Sequence, residues 1–461
     1  MPARTGLSSG GAMVAIALVL AGCEKPIDAL APTRSVVPEG LVSDRDLPLR
    51  PWTPEFHPVP GKSGQPGFAE RLSLGAAVGR AITFNPAIKA AFLEIEAKHG
   101  EEAQASVKPN PELLLEVENF AGTKSTRGFE SAEETLSINQ TIELGDKRLK
   151  RLRAAHLEAS LAGWDYEAVR LQTALQAAQA FVDVLASQER LSVLRGFVTI
   201  AERTNSNVDA RINAGRASPL ESDRSMVALA RARGLVRAEQ VRLDEAKRRL
   251  AALWGSEQPN FGRAEGRLER SRIVPSMDRL RTYLEENPAL ARWSDGVGHR
   301  LAQLDLERAK SLRDIKIGAG VRRFNEDDST ALVASVSVPL QLFDKNTGAI
   351  AAAERRAQKA EQEQKAARTQ LVGSLVEALG NLRVAATQLV ALENDVLPAA
   401  ERAFDRMQIG FNEGRFDFLN VLDAQRTVFE ARLERVNAQA EYAKARVQVE
   451  ALIGRDLNGL R

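Results

Sequence analysis

Residues 146–212 read DKRLKRLRAAHLEASLAGWDYEAVRLQTALQAAQAFVDVLASQERLSVLRGFVTIAERTNSNVDARI. The run holds no proline, and Gly163 and Gly196 are its potential breaks. An uninterrupted helix of this length extends about 100 Å, at about 1.5 Å per residue. No compact domain of ordinary size holds such a rod, so the run reads as a coiled coil or a helical array. Leu157, Leu161, Trp164, Ala168, Leu171, Leu175, Ala178, Val182 and Leu185 step by four and three, a narrow heptad-type seam. The phase slips near Ser187, and the seam resumes at Leu194, Val198, Ala201, Asn205, Val208 and Ile212. Alone, the stretch fits a cytoplasmic coiled coil equally well. Its flanks decide otherwise.

The stretch occurs twice. Leu144-Gly145-Asp146-Lys147 opens it, and Leu342-Phe343-Asp344-Lys345 opens a second rod that runs to about Gln408, interrupted by Pro398. Asn85-Pro86-Ala87 recurs as Asn287-Pro288-Ala289. Asn213-Ala214-Gly215-Arg216 recurs as Asn412-Glu413-Gly414-Arg415, and Trp254-Gly255 as Ile453-Gly454. The four offsets are 198, 202, 199 and 199, so the chain is a duplication of one long unit.

Composition narrows the class. The net charge of +2 gives no global field for nucleic acid, and the expectation is no nucleic-acid partner. Aromatics are 5%, and abundant alanine suits close helix–helix packing. One cysteine excludes a disulfide framework. His57, His99, His156 and His299 lie far apart in sequence and form no ligand-spaced motif, so each reads as a surface or packing residue. No metal site or cofactor is expected. No Gly-x-Ser-x-Gly, His-Glu-x-x-His or phosphate-binding glycine loop appears, which argues against an enzyme.

Residues 1–22 carry Arg4 and an apolar run from Ala12 to Leu20, too short to span a bilayer, and read as a secretory signal. The run ends in Leu20-Ala21-Gly22-Cys23, which is similar to a bacterial lipobox, so Cys23 is the expected lipidation site. Glu24 follows it. By resemblance to known lipoproteins, that residue disfavours retention at the inner membrane. Residues 24–68 hold nine of the nineteen prolines and read as an extended tether.

Helix signals run from Ser73 to about Val107, broken at Asn85-Pro86. Beyond Pro109 and Pro111 the period changes to two. Leu113, Leu115 and Val117 alternate with Glu112, Glu116 and Glu118. Leu136, Ile138, Ile142 and Leu144 alternate with Thr135, Ser137, Asn139, Thr141 and Glu143. The second half repeats this. Ile315, Ile317, Ala319 and Val321 alternate with Lys316, Gly318, Gly320 and Arg322. Leu332, Ala334, Val336, Val338 and Leu340 alternate with Val333, Ser335 and Ser337. Each hairpin alone would fit a soluble protein. Two of them, at matching places in an exported chain, read as membrane strands. Four strands cannot close a barrel, and an open edge in lipid costs several kcal/mol per unpaired group. Three copies pool twelve strands, an even number within the bacterial range. The expectation is a homotrimer.

Each rod ends in a turn. Gly215 suits a helix C-cap, and Ser218 with Glu221 forms a capping box around Pro219. In the second turn Asp417 is the expected cap. The layout is a signal at 1–22, a lipidated tether at 23–68, a first repeat at 69–255, a connector at 256–284, a second repeat at 285–455 and a tail at 456–461. The first repeat has hairpin 111–144, long helix 146–212 and returning helix 218–254. The second has hairpin 314–341, long helix 344–410 and returning helix 417–453.

This order of elements, over about residues 70–455, resembles the TolC-like outer membrane factor family. The runs Thr135 to Arg148 and Pro111 to Phe120 look most like its heavy-metal branch, which serves cobalt–zinc–cadmium pumps. The resemblance implies a mainly α fold: duplicated coiled-coil helices form a periplasmic tunnel, and four strands per chain complete a twelve-stranded trimeric barrel. It implies a Gram-negative outer membrane location. It also implies a periplasmic adaptor and an inner-membrane pump of the RND type as partners, outer-membrane lipid around the barrel, and export of heavy-metal cations. Family gate residues map to Glu221, Asn420 and Asp423. Asn420 departs from an acidic pattern, and Phe416 stands where some members have a basic residue. The turns Gly215-Arg216 and Gly414-Arg415 correspond to adaptor-docking positions. Drug efflux or type I protein secretion are the alternative cargoes. A periplasmic adaptor lipoprotein is the competing class, but it would lack paired bilayer-length hairpins and the duplication.

Overall fold

A computed structural model of the chain describes residues 66–268 and 274–457. The expected signal, Cys23 and the tether up to residue 65 lie outside the described residues, as does His57. The first repeat runs β1 (Ala69–Leu72), α1 (Leu74–Phe84), α2 (Pro86–Ala105), β2 (Glu112–Glu118), β3 (Glu133–Ile142), α3 (Lys147–Asn213) and α4 (Pro219–Ala252). Then come β4 (Phe261–Ala264) and α5 (Met277–Arg281). The second repeat follows as α6 (Pro288–Lys310), β5 (Ile315–Phe324), β6 (Ser329–Ser337), α7 (Thr347–Ala391), α8 (Leu397–Asn412) and α9 (Phe418–Ile453).

The Asn-Pro-Ala markers have a shared physical cause. Asn85 caps α2: its Oδ1 accepts the Ala87 N–H at 2.8 Å, and its Nδ2 donates to the Leu253 carbonyl at 2.7 Å. Asn287 does the same for α6, accepting from Ala289 at 2.8 Å and donating to Leu452 at 2.9 Å. In both repeats one asparagine starts a helix and closes the end of the returning helix. The following proline sits at the first helical position, where no N–H is needed.

The rod α3 is one helix of 67 residues. Its burial is wider than the expected seam. Thr173, Ala174, Leu175, Ala177, Ala178, Phe181, Val182, Val184, Leu185, Ala186 and Ser187 are all buried, whereas Ala168 of the seam is exposed. The cause is the number of partners: α1, α2, α4, α6 and α9 all pack on α3. A helix covered on several sides needs small side chains all round it rather than a two-residue stripe.

The second rod departs from an unbroken helix. It divides into α7, a π-helical turn at Leu392–Val396, and α8. Pro398 is the second residue of α8 and can offer no N–H to the ladder. The wider turn just before it accommodates the missing bond and the ring.

The connector is also more structured than expected. β4 pairs in parallel with β1, with Ala69 opposite Phe261 and Leu72 opposite Ala264. Leu72, Phe261, Leu250, Phe181 and Trp254 are buried together there. Gly262 lets the strands meet: a Cβ at that position would press on the Glu70 carbonyl. The first repeat is thus closed end to end.

The four longer strands form one antiparallel sheet in the order β2-β3-β5-β6. The two hairpins join through β3 and β5, which pair over ten residues from Glu133–Phe324 to Ile142–Ile315. β2 and β6 are the outer strands, and each has one edge without a neighbour among the described residues.

Candidate functional site

Register gives the sheet two chemically different faces. Leu113, Ile138, Ala319 and Ala334 lie in one row across the strands, and Leu115, Leu136, Val321 and Leu332 in another. None of the described residues covers them: Leu113 is 71% exposed and Leu332 is 87% exposed. An uncovered apolar sheet face of this size is the signature of a partner or a lipid phase.

The opposite face is mostly polar, with Leu114 and Val333 in its middle row. Glu112, Asn139, Gly318 and Ser335 share a row, as do Glu116, Thr135, Arg322 and Ala331. Arg322 donates to Glu133 at 2.8 Å and to the Thr135 hydroxyl at 2.8 Å, and it pairs with Glu118 at 3.3 Å. Lys316 pairs with Glu112 at 2.8 Å. Four glutamates thus face two cations, an acidic excess on the polar side. Gly318 and Gly320 leave room for their neighbours: a Cβ at Gly318 would overlap the Asn139 side chain, and one at Gly320 the backbone of Leu136 and Ser137.

Strands turn into rods through left-handed residues. Gly145 and Asp146 have φ of 71° and 56°, and Asn346 has φ of 58° before the second rod. Asp314 holds the first junction, accepting the Leu144 N–H at 3.0 Å and Lys147 Nζ at 2.6 Å. Arg151 reaches Glu143 at 2.7 Å and the carbonyls of Ala105 and Val107 at 3.0 and 3.1 Å, so it ties the end of α2 to the rod. Arg313 holds the second junction through Asp344 at 2.9 Å. The backbone N–H of Asn346 and then Arg313 keep the Asp344 carboxyl below the usual range. A cleft of about 810 Å³ opens between these junctions. Its cations Lys147, Arg151, Lys310, Arg313 and Lys316 each have a carboxylate partner, so it is an ion-paired collar and not an anion site.

At the far end, both rods close in the same way. The Gly215 N–H bonds to the Ile212 carbonyl at 2.8 Å, and the Arg216 N–H to Arg211 at 2.8 Å. The Gly414 N–H bonds to Phe411 at 3.0 Å, and the Arg415 N–H to Gly410 at 2.7 Å. With φ of 71° and 76° at the two glycines, these are paired Schellman motifs. Ser218 and Glu221 form the expected capping box, which engages the Glu221 carboxylate at the start of α4. Asp417 departs from expectation. It has the extended backbone of a cap, but its side chain makes no capping bond. Phe416 packs over Gly410 instead. Asn420 and Asp423 are exposed on α9, and Asp423 pairs with Arg426 at 3.1 Å. Arg415 pairs with Glu413 within its own turn, and Arg216 is exposed.

Three histidines, remote in sequence, meet carboxylates in space. His99 and His156 approach different oxygens of Glu102 at 3.2 and 2.9 Å, and His299 lies 4.0 Å from Glu158. Burial lowers the His299 pKa. Among the described residues no group of three or more His, Cys, Asp or Glu is arranged to hold a metal. Glu450 was not singled out by the sequence. It is buried, accepts from Arg446 at 2.9 Å and from the Leu457 N–H at 3.1 Å, and burial raises its pKa to about 7.

The family model of outer membrane efflux proteins matches residues 77–256 and 280–455. The chain is 34% identical over 384 residues to the cobalt-zinc-cadmium resistance protein CzcC of Cupriavidus metallidurans, covering 83% of this chain and 90% of that protein. It is 27% identical over 278 residues to the nickel and cobalt resistance protein CnrC of the same organism, covering 60% and 65%. The crystal structure of the outer membrane protein VceC of Vibrio cholerae superposes with a TM-score of 0.66 at 17% identity, covering 82% of this chain and 95% of VceC. With the family model matching both repeats and a relative matching most of the chain, this protein belongs to the outer membrane efflux protein family.

Proposed function

We propose that three copies of this chain pool their strands into a twelve-stranded outer-membrane barrel, continued by the rods as a periplasmic tunnel. The observation that carries this reading is the sheet: two unpaired edges, one uncovered apolar face and one polar face, held in a single register. A β-sheet in lipid must close, and β2 and β6 can do so only on other copies. The apolar rows then face lipid, and the acidic face lines the lumen. Members of this family work in tripartite efflux systems with an adaptor and an inner-membrane pump. The duct is passive and catalyses nothing.

The cargo we assign is divalent heavy-metal cations of the cobalt, zinc and cadmium kind. The similarity to CzcC and CnrC and the acidic excess of the polar sheet face support this. The pump is of the RND type. The turns at Gly215-Arg216 and Gly414-Arg415 meet the adaptor, Glu221, Asn420 and Asp423 narrow the tunnel near its tip, and Cys23 carries a lipid. Two measurements test the reading. Native mass spectrometry of the detergent-solubilised protein is expected to give the mass of three chains, and a folded monomer sinks the barrel. Deletion of the gene is expected to sensitise the host to cobalt, zinc or cadmium; unchanged tolerance to all three sinks the cargo.

A further inference from the structure

The two returning helices are equivalent in position and opposite in charge. The offset of 199 that relates Gly215 to Gly414 also relates the Leu253 and Leu452 carbonyls that close α4 and α9. It brings Ala232 onto Ala431, and both are buried. One residue earlier, Arg231 falls on Glu430. Further along, Arg242 falls on Glu441 and Leu235 on Glu434. All six of these side chains are exposed. Glu430, Glu434 and Glu441 step by four and seven, so they share one stripe of α9, and the two arginines share the matching stripe of α4. Two cations flank the acidic stripe: Arg426 is 3.6 Å from Glu430, and Lys444 is 3.5 Å from Glu441. Asp183 of α3 takes up Lys444 at 2.6 Å, so the excess stays acidic. On α4 the carboxylate beside Arg242 is Glu239, which is already bonded to Arg190 at 2.9 Å.

The connector shows which way the stripes face. β1 and β4 pack on Phe181 and Leu185 of α3, and Leu280 and Leu284 share a cluster with Leu375, Leu379 and Leu382 of α7. Asp183 is two residues from Phe181 and from Leu185, and Asn381 is two residues from Leu379. Two residues turn a helix through about 200°, so Asp183 and Asn381 point away from the connector. With Glu377 and Glu441 they line a cleft of about 730 Å³ on the opposite face. In the duct proposed above, a connector inside the bore would plug it. The connector then lies outside, and the face that carries Glu441 lines the bore.

We propose that the tunnel wall is divided into lanes of opposite sign, basic along α4 and acidic along α9, and that divalent cations travel beside α9. This rests on the duct reading above, because lanes exist only in a closed ring of helices. Three copies give three lanes of each sign, alternating around the bore. No residue in a lane forms a binding site; the lanes set where ions concentrate. Their reach is short, about 8 Å at physiological ionic strength, so a cation beside α9 is largely screened from the arginines of α4. Arginine keeps its charge at any pH that the periplasm meets, so the basic lanes repel cations permanently and confine them to α9.

The test is the reversal potential of the purified full-length protein in planar bilayers under a salt gradient. A triple variant, Glu430→Gln with Glu434→Gln and Glu441→Gln, is expected to lower the cation-to-anion permeability ratio roughly threefold for each kT of surface potential removed. A double variant, Arg231→Gln with Arg242→Gln, is expected to raise that ratio. Both shifts are expected to shrink at about 1 M salt, where the screening length falls to about 3 Å. An unchanged ratio in the triple variant overturns the acidic lane. An unchanged or lower ratio in the double variant overturns the basic lane, and shifts that persist undiminished in high salt overturn the electrostatic reading of both. If either variant forms no channels, Glu434→Cys and Arg231→Cys are treated singly with a charged thiol reagent, with the wild-type chain, whose one cysteine is Cys23, as the blank. Loss of conductance in both supports the lanes, and conductance untouched in either overturns them. No channel from the wild-type protein would overturn the duct itself, and the lanes with it.

Discussion

The two rods arise from one repeated pattern and are used differently. α3 is covered by its own chain, with Ala174, Ala177 and Val184 fully buried. α7 carries a comparable share of apolar residues, yet Val376, Val384 and Val390 are 55%, 57% and 47% exposed. The first rod therefore builds the protomer, and the second keeps an apolar face for something outside it. A duplicated unit can keep its caps and turns while one copy becomes core and the other interface.

A charge placed on each rod tests this division and should give the largest effects. Ala174→Asp buries an unpaired carboxylate among α1, α3 and α9 and should cost about 4 kcal/mol or more. Helicity and trimer should vanish together. Val384→Asp puts the same charge on the exposed face of α7. Circular dichroism should stay helical, while sedimentation shows the proposed trimer lost. If Val384→Asp assembles normally, the exposed face is not an interface.

The sheet offers a second contrast, between its own faces. Leu332→Arg on the apolar face should cost about 2–4 kcal/mol of membrane stability near the bilayer midplane. Ser335→Lys, three residues on and on the polar face, should be tolerated and should reduce any preference for cations. Urea unfolding in vesicles reads the first, and reversal potential in a salt gradient reads the second. Equal damage from both would mean that the sheet has no lipid face.

How legible this was depends on range. The strands, rods and turn glycines rest on periodicity and on local backbone geometry, so Leu113, Leu136, Val321 and Leu332 declare their faces from sequence. The repeated asparagines were visible as markers, but their second bond, to Leu253 and Leu452, spans 168 and 165 residues and leaves no local trace. β1 and β4 are four residues each, too short to show a period, and they pair across the whole repeat. Asp417 looked like its counterpart Ser218, yet only Ser218 makes the capping bond. The stacking of Arg211 on the Phe411 ring leaves no local trace either, because the two residues lie 200 positions apart.

Acid stability should separate the ends of the two returning helices. Glu450, near the end of α9, has a folded pKa raised from 4.5 to about 7, chiefly by burial. Between about pH 4.5 and 7 the folded chain holds a proton that the unfolded chain has released, so stability falls as pH rises through this window. The slope is at most about 1.4 kcal/mol per pH unit. Glu450→Gln, which keeps an acceptor for Arg446 and Leu457, should flatten that slope. A melting profile with the same pH dependence in wild type and variant would show that Glu450 does not titrate there.

The smallest effects belong to the turn glycines, where the two halves are most alike. A Cβ at Gly215 or Gly414 would meet nothing within 4 Å, so space does not require glycine at either site. The positive φ does, and alanine there should cost about 1 kcal/mol of left-handed strain. Gly215→Ala and Gly414→Ala should therefore lower stability equally and slightly, with trimer yield unchanged. A bulky side chain asks a different question, because the open space at each turn is where the proposed adaptor would sit. Gly414→Trp should keep the small stability loss of the alanine variant but weaken crosslinking to the adaptor and raise sensitivity to the proposed metal cargo. Export and crosslinking at wild-type levels would leave Gly414 as a helix terminator with no docking role. A loss confined to one of the two glycines would instead show that the adaptor reads the halves differently, as the rods above them already differ.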